Sequence, residues 1–223
     1  MPRPTLALAA ATLAAALLAI ASAPWALDLA WLNFVFKPVA TVGVIVFAYG
    51  RGAVLPAQRR WVLAGLLLSL AGDVALLWPQ AGFLPGLVSF LLAHLAYLRA
   101  FTRSHRLAAW WPAFAGYALV AGSILAALWP GVPAPLRAPV VAYVLCLAAM
   151  AAQAAVVWRC GGARGAVLAV GGALFVVSDA LLATNKFAGP LPLSGLWILS
   201  SYWAAQWCIA AWLQPHMPLK RPV

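Results

Sequence analysis

Residues 165–184 read GAVLAVGGALFVVSDALLAT. The stretch is Ala/Leu/Val-rich, and Asp179 is its one ionisable residue. A helix that crosses a bilayer needs roughly 20 mostly apolar residues. The stretch has that length and lacks the polar/apolar alternation of a barrel strand, so it reads as a spanning helix. An ionisable side chain inside such a run is expensive in lipid and points to function. Seven further runs have the same character, at about 5–23, 30–49, 61–78, 83–101, 110–129, 138–158 and 195–213. Trp25, Trp31, Trp61, Trp78, Trp110, Trp111, Trp129 and Trp158 lie near their ends, as interfacial belts require.

The whole chain fits this reading. It has 223 residues, 66% of them hydrophobic and 8% charged, against about 25% charged in an ordinary soluble domain. That excludes a soluble globular protein and a disordered chain. The formal net charge of +11 does not indicate a nucleic-acid partner, because the basic residues sit in short gaps between apolar runs, not on one folded face. The expected fold is all-α: a polytopic transmembrane bundle of about eight helices in a single transmembrane domain, 1–223, with the lipid bilayer as its surroundings.

Basic residues give the orientation. With the N-terminus cytoplasmic, the inner segments carry Arg3, Arg51, Arg59, Arg60, Arg99, Arg103, Arg106, Arg159, Arg164, Lys220 and Arg221. Only Lys37, Arg137 and Lys186 remain outside. Both termini are therefore expected in the cytoplasm. Arg3, the first apolar run and Ala21-Ser22-Ala23 resemble a cleavable signal, but Pro24 after the cut disfavours cleavage, and the first span is expected to be retained. Cys146, Cys160 and Cys208 have no metal-like spacing and read as small apolar filler.

The chain holds three acids, Asp28, Asp73 and Asp179, and no Glu. Gly72-Asp73-Val74-Ala75-Leu76-Leu77 near the outer end of the third run resembles Ser178-Asp179-Ala180-Leu181-Leu182 near the outer end of the seventh. Lys37-Pro38-Val39 and Ala138-Pro139-Val140 add a weaker match. The pattern suggests two parallel four-helix halves, 1–105 and 106–223, with Asp73 and Asp179 at one depth and a site at the repeat interface. Other polar groups join them. Lys37 lies near the outer end of the second run, and Asn185 and Lys186 close the seventh. His94 and Tyr97 share a face of the fourth, Tyr202 and Gln206 share a face of the eighth, and Ser69 lies one turn from Asp73.

These residues carry a resemblance. Lys37-Pro38, the run Gly72-Asp73 with Leu76-Leu77, then Gly86, Phe90, His94 and Tyr97 are similar to the YhhN family of membrane proteins. So are Phe175, Ser178-Asp179-Ala180, Asn185-Lys186-Phe187, Tyr202-Trp203 and Gln206. The similarity runs from about residue 30 to 212. It implies an eight-helix integral membrane hydrolase, a lysoplasmalogenase-like ether hydrolase, that cleaves the vinyl ether bond of lysoplasmalogens. The products are a fatty aldehyde and glycerophosphocholine or glycerophosphoethanolamine. By resemblance Asp73 and Asp179 are the catalytic pair, and Lys37, His94, Tyr97, Asn185, Lys186, Tyr202 and Gln206 line the pocket for a lysophospholipid. Abundant Ala and Arg with few Lys point to a bacterial chain, hence to a bacterial inner membrane.

The chemistry fits independently. A vinyl ether breaks when the carbon β to the ether oxygen is protonated, giving an oxocarbenium ion that water captures. The resulting hemiacetal collapses to aldehyde and alcohol. Glycosidases handle a similar transition state with two carboxylates. Two aspartates in one low-dielectric site would share a proton, because burial and repulsion disfavour two charges together. In this reading Asp73 is the acid and Asp179 the anion, an order the residues leave open. Lys37 or Lys186 would hold the phosphate as a point charge. No cofactor is expected, and no metal: catalytic zinc takes three protein ligands, while His94 is the one His inside a run, with His105 and His216 on the inner side. No G-x-S-x-G elbow occurs. The alternative is a proton-coupled transporter or carrier with a midplane polar site.

Overall fold

The computed structural model describes residues 3–78 and 80–214, with side chains from Thr5 onward. Lys220, Arg221 and His216 lie outside the described residues. Eight α-helices occur among the described residues: α1 Arg3–Ala21, α2 Ala30–Tyr49, α3 Pro56–Ala75, α4 Phe83–Phe101, α5 Trp111–Leu128, α6 Ala134–Gly161, α7 Ala163–Phe187 and α8 Ser194–Trp212. A 3-10 turn, Trp129–Gly131, follows α5. The expected runs and the helices coincide in order and number. The largest differences are at α3, which starts on Pro56, and at α6 and α7, which extend past the expected ends. Pro56 suits a first helical turn, where its missing N–H is not needed. From there the helix carries the polar Gln58-Arg59-Arg60, which a hydropathy reading leaves in the loop.

Five helices are long and apolar enough to cross a membrane: α2, α4, α5 with its 3-10 turn, α6 and α7. Among the rest, α3 and α8 are of spanning length but carry Gln58, Arg59, Arg60, Ser69 and Asp73, or Ser200, Ser201, Tyr202 and Gln206. The distribution of polarity explains the difference. Thr41, Ser69, Asp73, His94, Gln153 and Gln206 are buried, while Leu13, Val35, Val46, Leu67, Leu95, Leu119, Leu145 and Val170 are exposed. Exposed apolar stripes on this scale suit hydrocarbon, not water. The protein is an integral membrane protein.

Packing pairs α1 with α2, α3 with α4, α5 with α6 and α7 with α8; α2 also meets α8, and α4 meets α6. Glycine permits the closest of these contacts. A Cβ on Gly65 would overlap the Tyr97 ring, and one on Gly72 would overlap the Phe90 ring. Small residues at such seams are how membrane helices approach without a hydrophobic driving force.

One end of the bundle is tied by polar contacts. The Arg51 guanidinium donates to the carbonyls of Ala211 and Leu213, each at 2.9 Å, capping α8. Partial burial, and then neighbouring Arg164, pull its proton affinity below the ordinary arginine value. The Gly52 amide donates to the Gln214 carbonyl at 2.7 Å. Gln58 donates to Ser104 at 2.7 Å, and buried Gln153 donates to the His105 carbonyl at 3.0 Å and accepts from the Ala108 amide at 3.2 Å. The loops carrying Arg51, Arg103 and Arg106, together with Arg164 at the start of α7, thus gather at one end. The third acid, Asp28, is exposed in the α1–α2 loop at φ 51°, a left-handed conformation that Asp tolerates. Cys146 and Cys208 are partly buried, but Cys160 is exposed and does not act as filler.

Candidate active site

Helical stripes bring the polar residues inward. On α2, Lys37, Thr41, Val44 and Ala48 form one buried face; on α3, Val62, Leu66, Ser69 and Asp73 form another. Where these faces meet α8, Asp73 is enclosed. Thr41 donates to Asp73 Oδ2 at 2.6 Å, and the Tyr202 hydroxyl donates to the same oxygen at 2.7 Å. Lys37 Nζ stands 3.7 Å from Asp73 Oδ1, the one ion pair among the described residues. Both Asp73 oxygens are therefore engaged by donors, the arrangement that makes a buried carboxylate tolerable.

The network continues outward from these contacts. Trp203 Nε1 donates to Thr41 Oγ1 at 3.1 Å, Gln206 Nε2 donates to the Tyr202 hydroxyl at 3.2 Å, and the Tyr97 hydroxyl donates to Gln206 Oε1 at 2.6 Å. Lys37, Asp73, Tyr97, Tyr202 and Gln206, all expected at the site, thus belong to one connected cluster. Thr41 and Trp203 were missed. Thr41 lies four residues after Lys37, the helical spacing that could have found it. Trp203 stands in the motif beside Tyr202, but nothing in the sequence assigns it a contact with Thr41.

Asp179 stands apart from this cluster. Its Oδ2 accepts from the Tyr143 hydroxyl at 2.6 Å. The carboxyl is partly exposed and lines a cavity of about 820 Å³, counting the space at its open mouth. The cavity lies between α4, α5, α6 and α7, and Asp179 and Tyr143 are the polar residues in a wall of Leu, Val, Ile, Ala and Phe. Asp73 is not part of that lining. Tyr143 was missed by sequence reading, because a single Tyr in an apolar run has no spacing partner.

A row of rings joins the two sets. His94 packs edge-on against Tyr143 (5.3 Å between centroids) and Phe175 (4.6 Å), and Phe175 against Tyr202 (5.6 Å). His94 is fully buried and neither ring nitrogen has a hydrogen-bond partner. Asn185 Oδ1 accepts from the Leu191 amide at 2.9 Å and so closes the α7–α8 loop. Lys186 is exposed, with Nζ 4.9 Å over the Phe83 ring at the cavity rim. No three His, Cys, Asp or Glu side chains converge among the described residues.

This arrangement can offer a carboxyl to an apolar ligand through Asp179 and hold a second carboxylate in a dense donor network nearby. Comparisons with known proteins agree with the resemblance drawn from the motifs. Lysoplasmalogenase TMEM86B of Sus scrofa is 35% identical over 199 residues, spanning 85% of this chain and 79% of that protein. Lysoplasmalogenase TMEM86A of Homo sapiens is 32% identical over 197 residues, 81% of this chain and 77% of that one. A lysoplasmalogenase of Mycobacterium tuberculosis is 30% identical over 172 residues, 71% and 61% of the two chains. No solved structure matches. The profile of the YhhN family matches residues 32–213, and the chain belongs to that family.

Proposed function

We propose that the protein is an intramembrane ether hydrolase that cleaves the vinyl ether bond of lysoplasmalogens, releasing a fatty aldehyde and a glycerophospho-headgroup. The observation that carries this reading is the Asp179–Tyr143 pair set in the wall of an otherwise apolar cavity. A one-tailed lipid needs a single apolar slot, and a vinyl ether needs an acid beside it. The family relatives named lysoplasmalogenases support the same substrate class.

In this reaction Asp179 is the acid. Tyr143 holds Oδ2 and leaves Oδ1 to deliver a proton to the alkenyl carbon β to the ether oxygen. The oxocarbenium ion adds water, whose released proton returns to the Asp179 carboxylate; the hemiacetal then breaks its C–O bond to glycerol, its hydroxyl proton passing to the departing glycerol oxygen as the aldehyde forms. Asp73 is the second carboxylate of the pair, enclosed outside the cavity and held by Lys37, Thr41 and Tyr202; it acts on the cation at a distance, through the part of its field that Lys37 does not cancel. The sequence leaves the order of the two open; Asp179 is assigned as the acid because the cavity meets it and not Asp73. Tyr97 and Gln206 keep Tyr202 in place, His94 backs Tyr143, and Asn185 and Lys186 shape the rim.

The pattern of packing, α3 on α4 and α7 on α8, α2 against α8 and α6 against α4, supports two four-helix halves, 1–105 and 106–223. The gathering of basic loops at one end supports cytoplasmic termini and, for a bacterial chain, the inner membrane. The test is aldehyde release from a 1-alkenyl lysophospholipid by protein purified in a maltoside detergent. Turnover that disappears in Asp179→Asn supports the reading; undiminished turnover in that variant removes Asp179 from the chemistry.

A further inference from the structure

We propose that the rim of the cavity is a phosphate site, at which Arg137 and Lys186 seat the phosphodiester of the lysolipid while its chain occupies the space below. The inference deepens the hydrolase reading and rests on it. Of the three basic residues expected on the outer side, Lys37 is buried and committed to Asp73. The other two each lie against a residue that lines the cavity. The Lys186 ammonium lies over Phe83, and the Arg137 guanidinium lies 5.1 Å from the Trp129 ring centroid, with Nε directed at the Val132 carbonyl at 3.4 Å. Phe83 and Val132 both line the cavity. An aromatic face under each cation fixes its stem and leaves its remaining donors free.

Charge balance points the same way. Neither cation has a carboxylate partner among the described residues. Arg137 lies in the first turn of α6, where the helix field disfavours a cation and favours an anion. A phosphodiester at the rim satisfies both cations and the field. Asp179 lies eight residues before Phe187 on α7, about 12 Å deeper at 1.5 Å per residue. Rim, acid pair and apolar floor thus follow the order of a lysoplasmalogen: phosphate, ether, chain. The ligand class is a one-chain ether lipid with an anionic phosphate, and the charged part of the headgroup beyond the phosphate faces water.

The test uses ligands that cannot be cleaved, so it does not depend on turnover. Binding of 1-O-hexadecyl-glycerophosphocholine and of 1-O-hexadecylglycerol is measured on the full chain in a phosphate-free maltoside detergent. The expected result is a preference for the phosphate-bearing ether that weakens as salt is raised. In the Arg137→Ala/Lys186→Ala double variant that preference should fall about tenfold or more. The charge-conserving Arg137→Lys/Lys186→Arg variant should keep most of it, which separates charge from folding. Inorganic phosphate at millimolar concentration should not displace the lipid; equal displacement would mean a free-anion site and overturn the lipid assignment. A preference unchanged in the double alanine variant, or no binding of the phosphate-bearing ether, overturns the proposal. Binding of the saturated ether without cleavage of the alkenyl lipid would instead overturn the hydrolase reading alone.

Discussion

Tyr143 on α6 donates its hydroxyl to Asp179 on α7 at 2.6 Å. Tyr202 on α8 does the same for Asp73 on α3 at 2.7 Å. Each carboxylate of the core therefore has a phenol fixed to one oxygen, but their surroundings differ. Asp73 has in addition Thr41 and Lys37 and is fully enclosed. Asp179 has no further donor among the described residues and opens on the apolar cavity. A carboxyl with one oxygen held and the other free can pass a proton to a ligand; one saturated with donors is better suited to a fixed charge.

Asp179→Asn keeps the shape and the Tyr143 contact but removes the acid. Turnover of an alkenyl lysolipid should fall by about 10²–10⁴, the usual contribution of a positioned acid. Tyr143→Phe leaves the acid in place and removes one hydrogen bond to it, worth about 1.5–3 kcal/mol. Its turnover should fall roughly 10–100-fold, with the apparent Tm in detergent lowered by several degrees. Equal losses in the two variants would mean that Tyr143 does more than orient the acid.

The cavity can be filled from its α5 wall. Ala121 lines it and is partly exposed. Ala121→Phe would occupy space that is already present, so stability should change by no more than about 1 kcal/mol. KM for a long-chain lysolipid should rise while a short-chain analogue is affected less. A variant with ordinary KM for both would show that the chain lies elsewhere.

How far the sequence led can be judged at particular residues. The apolar runs located every helix, since length and composition alone define a span. Lys37 with Asp73, and Tyr202 with Gln206, were accessible because a charge in lipid needs a partner and helical spacing assigns faces. Tyr143 was not accessible, because its importance depends on α6 meeting α7 at one register. Nor was the cavity, which arises because α5 packs on α6 and not closely on α4. The expected shared cavity between the aspartates rested on matching depth, and depth says nothing about which flank of a helix faces which neighbour.

Glycine positions separate packing from lipid exposure. Gly65 faces the Tyr97 ring, whose hydroxyl reaches Gln206 at 2.6 Å. Gly65→Ala should shift that ring, loosen the Asp73 cluster and destabilise by about 1–3 kcal/mol. Gly116 in α5 has no heavy atom within 4 Å of an added Cβ. Gly116→Ala should instead stabilise, by up to about 1 kcal/mol, through helix propensity. Thermal unfolding in one detergent reads both, and the same sign for the two would contradict this packing.

Lys37 and Asp73 give a double-variant test of whether the buried pair is structural or catalytic. Lys37→Met leaves Asp73 with two hydroxyl donors but no counter-charge in an enclosed site. Breaking a buried pair from one side costs about 3–5 kcal/mol, whereas replacing both partners with uncharged groups of similar size is often close to neutral. Lys37→Met should therefore unfold at a clearly lower temperature than wild type. Lys37→Met/Asp73→Asn should recover much of the loss, because Asn keeps an acceptor for Thr41 and Tyr202. Turnover separates the roles: if Asp73 supplies the steadying charge, the double variant stays inactive although its fold is restored. Recovery of activity along with stability would reduce Asp73 to a structural residue and leave Asp179 as the sole catalytic carboxyl.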